Sequence, residues 1–177
     1  MTRIQLVDDE PHILSALKRV LRSHDWDIEA FDDATKALAA LKETPYDVIV
    51  SDYQMPIMDG ITYLQFAKQL QPHAIRLIMS AHGDRTAVIK AINQAEIYRF
   101  VSKPWEDYEI EAAIRSAVDL SGLQRENRQL LQEVLSQKEI LKQRENELLR
   151  LERVNPGITR VERDADGSIV IDDTDKY

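Results

Sequence analysis

Four charged side chains each follow or end a short apolar run that has the character of a buried strand. The charged residues are Asp8, Asp9, Asp52 and Lys103. The apolar runs cover residues 4–7, 48–50 and 100–102. On an open α/β sheet, ligand sites form outside the carboxyl ends of the strands. The sequence therefore predicts that three acids and one lysine converge at one sheet edge.

This set of groups predicts phosphoryl chemistry around a metal ion. Carboxylates that lie close together raise one another's pKa, so a cation is needed to keep them ionised. Oxygen ligands without histidine or cysteine favour a hard ion, and Mg²⁺ fits best, with Asp9 and Asp52 as its direct ligands. A carboxylate can attack an activated phosphoryl group to give an acyl phosphate, which makes Asp52 the candidate reactive group. Lys103 would then pair with a phosphoryl oxygen.

Residues 3 to 120 resemble the CheY-like receiver domains of two-component response regulators. The resemblance rests on the acidic pair at 8 and 9, on the run Met-Pro-Ile-Met-Asp-Gly after Asp52, and on Lys103-Pro104. It implies that Asp52 accepts a phosphoryl group from a histidine kinase or phosphotransfer protein. The other roles that it implies are Mg²⁺ binding by Asp8, Asp9, Asp52 and the backbone carbonyl of Gln54, phosphoryl contacts from Ser80 and Lys103, a switch role for Phe100, and a cis bond before Pro104.

Each of these residues also has an ordinary structural interpretation. An Asp-Asp pair is usually a solvated loop or a helix cap, and Ser80 alone is more often a cap. Lys103 before a proline usually marks a turn, and Phe100 would normally be a core aromatic. Their joint order at the ends of successive strands favours the site.

Two further positions bear on the rate of phosphoryl loss. By the pattern of the family, Gln54 and His82 lie where an attacking water would pass, so they are predicted to tune the lifetime of the phosphoryl group. The alternative is that both are ordinary exposed loop residues.

Short apolar runs alternate with amphipathic segments through the first 120 residues. This alternation predicts five strands and five helices in a doubly wound parallel α/β sheet, with helices on both faces. The expected strand order is 2-1-3-4-5, as in flavodoxin-like folds, with the site between strands 1 and 3.

Composition limits the class of protein. The chain has 177 residues, 44% of them hydrophobic, which is enough for one folded domain with an appendage. The net charge of −8 comes without a cluster of basic residues, so direct binding to nucleic acid or to an anionic membrane is not expected. There is no cysteine, no long apolar run and no signal-peptide pattern, and we expect a cytoplasmic location.

Residues 121–154 form the second predicted segment, a long helix with a coiled-coil pattern. A heptad register places apolar residues at five of eight core positions and polar residues at the other three. The apolar core residues are Leu130, Val134, Leu141, Leu148 and Leu151, and the polar ones are Asn127, Gln137 and Arg144. Asn127 at an a position favours a parallel homodimer, and Glu133 would pair with Lys138 of the second chain. The alternative is a single helix that is solvated or packed on its own domain.

Residues 155–177 are predicted to form an acidic tail. Asp166-Gly167 lies between β-prone runs and indicates a small hairpin, with a flexible tail as the alternative.

The function predicted from these features is a phosphorylation-controlled response regulator that signals by protein contacts or by rearrangement of the coil. It would not be an enzyme beyond accepting its own phosphoryl group and losing it slowly. The alternative is a fragment or relative of a regulator with a separate output module, such as a cyclic-di-GMP phosphodiesterase or a σ54 activator, because residues 97–105 look like receivers joined to such modules. A haloacid-dehalogenase-type phosphatase would need an acid at position 54, where Gln54 stands.

Overall fold

The computed structural model describes residues 1–81 and 95–156, and these residues form five strands and four helices. The strands are β1 (Thr2–Val7), β2 (Trp26–Phe31), β3 (Val48–Asp52), β4 (Ile75–Ala81) and β5 (Arg99–Lys103). The helices are α1 (Pro11–Leu21), α2 (Ala34–Glu43), α3 (Gly60–Leu70) and α4 (Asp107–Val154). His82, the helix predicted within residues 86–92 and the hairpin predicted in the tail lie outside the described residues.

The strands form one parallel sheet in the order β2-β1-β3-β4-β5. Leu6 of β1 lies beside Ala30 of β2 on one side and Val50 of β3 on the other. The connection after β1 leads to β2 on one side of it, and the connection after β2 leads to β3 on the other side. Because these crossovers diverge, they leave a crevice at the carboxyl ends of β1 and β3. The predicted fold and strand order are confirmed.

Local sequence explains where the first three helices begin. Pro11 occupies the first turn of α1, where its missing N–H costs nothing. Asp33 caps α2 by accepting hydrogen bonds from the N–H groups of Thr35 and Lys36. Asp59 caps α3 by accepting from the N–H of Thr62, at 2.9 Å.

Each face of the sheet packs against helices, which gives three layers. One core cluster joins β1, β3 and β4 to α1 and to the first three turns of α4 through buried aliphatic residues. The other joins the opposite face to α2 and α3 and includes the fully buried Tyr63. With both faces covered, β3 is buried throughout and β4 is buried as far as Ser80, which accounts for the apolar runs at residues 48–50 and 77–79.

Helix α4 continues without a break from Asp107 to Val154 and passes through Gly122. Its buried residues all lie before Gly122, and its later turns are exposed apart from two partly buried positions. Contacts within the chain divide it into two units, Met1–Glu126 and Asn127–Tyr177. None of the helices described here is long and apolar enough to cross a lipid bilayer.

Candidate functional site

The candidate site lies where β1, β3 and β5 end at the same edge of the sheet. Asp52 is the last residue of β3, Lys103 is the last residue of β5, and Asp8 and Asp9 directly follow β1. Lys103 is separated from Asp52 by one strand, and a lysine side chain is long enough to cross that distance. The fold thus brings together the three acids and the lysine that the sequence singled out.

The Lys103 ammonium bridges two buried carboxylates. Its Nζ lies 2.7 Å from Oδ2 of Asp8 and 2.6 Å from Oδ1 of Asp52. The second oxygen of each carboxylate accepts a backbone hydrogen bond, from the N–H of Glu10 to Asp8 at 2.9 Å and from the N–H of Gln54 to Asp52 at 3.0 Å. Both carboxylates are therefore held in fixed orientations, with charge-assisted bonds on one side and backbone donors on the other.

The three acids form an oxygen cluster that suits a divalent ion. One oxygen each from Asp8, Asp9 and Asp52 lies within 4.8 Å of the other two. Three carboxylates against one ammonium leave two negative charges when all are ionised, which a divalent cation would neutralise. Asp9 is partly exposed, whereas Asp8 and Asp52 are buried, so the cluster is open to solvent on one side. Hard oxygen ligands with room for water are what Mg²⁺ requires.

Burial and neighbouring charges act in opposite directions on the pKa values of Asp8 and Lys103. Burial raises the pKa of the Asp8 carboxyl, while Lys103 and the Glu10 N–H oppose that rise and Asp52 adds to it. For the Lys103 ammonium, burial alone would lower the pKa, but the hydrogen bonds and charges of Asp52 and Asp8 outweigh burial and raise it. Lys103 is therefore a permanent cation at neutral pH.

An open cavity of about 180 Å³ lies over the site. Its walls include Asp9, Asp52, Gln54, Ser80 and Lys103. This volume accommodates a phosphoryl group and several waters. The cavity gives direct access to the Asp52 carboxylate from solvent.

Ser80 and Phe100 occupy neighbouring strands near the site. Ser80 of β4 is buried and lies beside Ser102 of β5, and it lines the cavity. Phe100 lies beside Ile78 and is half-buried against the core cluster on the α2 and α3 side. It is not among the residues that line the cavity. The Lys103–Pro104 peptide bond is cis, as the resemblance implies.

The structure adds Gly60 to the residues that shape the site. A Cβ atom built on Gly60 would lie 1.9 Å from the backbone oxygen of Asp52, so no side chain fits here without moving β3 or α3. The Gly60 N–H also donates to the carbonyl oxygen of Tyr53, at 2.9 Å. The sequence marked Gly60 only as a turn residue, because this contact joins residues eight positions apart and depends on how α3 begins.

Residues 4–115 match the response regulator receiver domain family. The chain belongs to this family. The receiver is 30% identical over 146 residues to the hydrogenase transcriptional regulatory protein HoxA of Cupriavidus necator, with 82% of this chain and 30% of HoxA covered. It is also 30% identical over 146 residues to the transcriptional regulatory protein FixJ of Bradyrhizobium diazoefficiens, with 82% of this chain and 71% of FixJ covered.

A similar solved structure is described as an adenylate cyclase from Rhodopirellula baltica. It superimposes on the receiver with a TM-score of 0.70 and 32% identity, and the match covers 75% of this chain and 98% of that one. The present chain spans less than a third of the length of HoxA.

Proposed function

We propose that this receiver is a phosphorylation-controlled switch in a two-component phosphorelay, with Asp52 as the phosphoacceptor. The observation that carries the proposal is the Lys103 ammonium held at 2.6 Å from Asp52 and 2.7 Å from Asp8 at the mouth of an open cavity. One site thus contains a nucleophilic carboxylate, a permanent cation for phosphoryl oxygens and an acidic cluster for a metal. Phosphoryl transfer depends on this kind of positioning and charge stabilisation.

The donor would be a phosphohistidine on a histidine kinase or phosphotransfer protein. An oxygen of Asp52 attacks phosphorus, an O–P bond forms, and the P–N bond to the donor histidine breaks with its electron pair left on the imidazole nitrogen. Lys103 moves from Asp52 to a phosphoryl oxygen, where its charge offsets the negative charge that has arrived. Hydrolysis of the acyl phosphate by water then returns the carboxylate, and Gln54 beside the cavity is placed to affect the rate of that step.

Asp8, Asp9, Asp52 and the backbone carbonyl of Gln54 would hold Mg²⁺. When bound, the ion would supply charge neutralisation for the phosphoryl oxygens. The backbone N–H of Gln54 already orients Asp52. The fixed positions of Asp8 and Asp52 reduce the reorganisation that metal binding requires.

The switch itself would run through β4 and β5. Ser80 is placed to follow the phosphoryl group, and Phe100, half-buried on the next strand, would reorient with it. The output is then a shift between two conformations of the surface that these strands share with the helices beside them. Phosphorylation biases this equilibrium only as far as it stabilises one state over the other.

We further propose that the protein acts in the cytoplasm as a parallel homodimer through residues 121–154 and signals by contacts with a downstream protein. The exposed leucines along the later turns of α4 support this, since a lone helix leaves them in water. The chemistry of the chain would be limited to accepting a phosphoryl group and losing it slowly.

A second candidate is that this receiver is part or a relative of a regulator with a separate output module, such as a cyclic-di-GMP phosphodiesterase or a σ54 activator. The length of HoxA, of which this chain covers 30%, favours it. The finding of a longer gene product that contains these 177 residues and an output module would support this candidate.

The phosphoacceptor is tested with a small phosphodonor and intact-protein mass spectrometry in the presence of Mg²⁺. The wild type should gain one phosphoryl group, and Asp52→Asn should gain none. Asp59→Asn, in the same loop, is the matched control and should be labelled like the wild type. Labelling of Asp52→Asn at another residue would exclude Asp52 as the acceptor.

The output is tested by light scattering after size exclusion, with Mg²⁺ and with or without beryllofluoride as a mimic of the phosphoryl group. A change in mass or hydrodynamic size means that the coil carries the signal. An unchanged dimer means that the coil is a permanent scaffold and that the receiver surface carries the signal.

A further inference from the structure

A second stripe of residues runs along α4 beside the predicted coiled-coil core. Its members follow one another at alternating spacings of three and four residues, which keeps them on one face of the helix. They are Leu135, Lys138, Lys142, Glu145 and Leu149, and we call them the side stripe. Leu131 and Glu152 continue this stripe at its two ends. In the heptad of the core, these residues occupy b and e positions.

The leucines of this face are exposed to solvent in the single chain. Leu131, Leu135 and Leu149 are 57%, 57% and 55% exposed. A two-stranded coil buries mainly its a and d residues, so a parallel dimer would leave Leu135 and Leu149, at b positions, exposed. Large apolar side chains repeated along one face of an otherwise polar helix indicate a contact with another molecule.

The charges of the side stripe favour a second copy in the antiparallel direction. If two stripes cross at Lys142, Leu135 of one helix faces Leu149 of the other, and Lys138 faces Glu145. Twofold symmetry repeats each contact on the other side of the crossing. At the crossing itself Lys142 faces Lys142 of the other helix, which is one like-charge contact against two Lys138–Glu145 pairs. If the two helices ran parallel and in register, Lys138, Lys142 and Glu145 would each face a like charge. Complementary charges of this kind select the direction of pairing.

We propose that the side stripe is a self-association surface, through which α4 helices of two receiver dimers pair antiparallel. The proposal rests on the parallel dimer proposed above for the core residues. A twofold-symmetric dimer presents the stripe on both of its sides, so this contact links dimers into assemblies of at least four chains.

The absence of native cysteine allows a direct test by cross-linking of the full chain. The double variant Leu135→Cys with Leu149→Cys should form a disulfide between chains under mild oxidation. Each single variant should form little, because b positions of a parallel coil lie far apart. A double variant that cross-links no more than the single variants would overturn the proposal.

Charge reversal identifies the partner of Lys138. Lys138→Glu, introduced into the double-cysteine chain, should reduce the cross-linked fraction several-fold, and adding Glu145→Lys should restore it. In the underlying parallel coil Lys138 also faces Glu133 of the second chain, so Glu133→Lys is the comparison variant. Restoration by Glu133→Lys and not by Glu145→Lys would overturn the proposal.

Mass measurements distinguish the side-stripe contact from the parallel dimer on which it rests. Sedimentation of the wild type should show a mass above that of a dimer that rises with concentration, and Leu135→Glu should return it to a dimer. A wild type that stays a dimer at every concentration contradicts the side-stripe contact but leaves the parallel dimer intact. A monomer at every concentration contradicts both.

Discussion

Lys103 is the residue on which the charge balance of the site depends. It is the cation between two carboxylates, one fully buried and one nearly so. A buried ion pair that loses one partner is costly, because the remaining charge is left without compensation.

Lys103→Met should therefore destabilise the metal-free protein by about 3 kcal/mol. The measurement is chemical denaturation in EDTA and in saturating Mg²⁺, where the divalent charge should recover part of the loss. Lys68→Met is the control, since its pair with Glu96 is exposed and should contribute far less than the Lys103 bridge. Equal losses in the two variants would show that the bridge contributes no more than a surface pair.

Gly60 allows α3 to begin against the backbone of Asp52. Gly60→Ala places a Cβ within 1.9 Å of the Asp52 carbonyl oxygen, so β3 or α3 has to shift. We expect a loss of about 2 to 3 kcal/mol in the free energy of unfolding and slower labelling of Asp52 by a phosphodonor.

Gly122→Ala is the matched control for Gly60→Ala. Gly122 lies inside α4, and nothing lies within 4 Å of a Cβ built there. The variant should gain about 0.5 to 1 kcal/mol from helix propensity and should be labelled at the wild-type rate. If both glycine variants labelled normally, the contact at Gly60 would have no role in placing Asp52.

Among the elements, a buried polar link connects β1, α2 and α3 beneath the site. Gln5 of β1 donates from its side-chain amide to the carbonyl oxygen of Ala37, at 3.0 Å, and accepts a hydrogen bond from the Tyr63 hydroxyl. Gln5 and Tyr63 are fully buried. Burial raises the pKa of the Tyr63 hydroxyl, so Tyr63 remains a donor at all physiological pH values.

Tyr63→Phe should cost about 1 to 3 kcal/mol, because the buried oxygen of Gln5 loses its donor. Thermal or urea unfolding measures the change. Tyr108→Phe removes a hydroxyl from an exposed tyrosine of α4 and should leave the stability close to that of the wild type. A neutral Tyr63→Phe would mean that water or another group replaces the donor.

At the scale of the whole molecule, the two core clusters are complete before α4 enters its exposed turns. The last buried aliphatic residue of α4 is Ala117. After it, Asp47 accepts from Arg125 at 2.6 Å and from Ser121 at 3.5 Å, and its other oxygen accepts from the N–H of Arg3 at 2.9 Å. These contacts fasten α4 to the amino-terminal end of β3 within the unit Met1–Glu126.

A chain that ends after Glu126 should consequently fold and accept a phosphoryl group like the full chain, but sediment as a monomer. It keeps both core clusters and the Asp47 contacts and loses the exposed leucines of the later turns. Circular dichroism, phosphodonor labelling and sedimentation test the three parts. A truncated chain that still forms dimers would move the association surface from residues 121–154 to the receiver.

The sequence by itself determined the parallel α/β architecture and the four charged residues of the site. Apolar runs and amphipathic segments are local patterns, and parallel strands joined by right-handed crossovers bring their carboxyl ends to one edge. Asp8, Asp9, Asp52 and Lys103 were therefore predictable as neighbours from their places at strand ends. The continuous α4 was likewise indicated by a coil pattern that begins where the last receiver helix ends.

Only the tertiary structure decided how these neighbours meet. Contacts between separate elements set which oxygens of Asp8 and Asp52 meet Lys103 and which residue fastens α4 at Asp47. They also explain why position 60 has to be glycine. Such contacts leave no periodic signal, since each is fixed by packing of whole elements to within an ångström and not by the spacing of residue types.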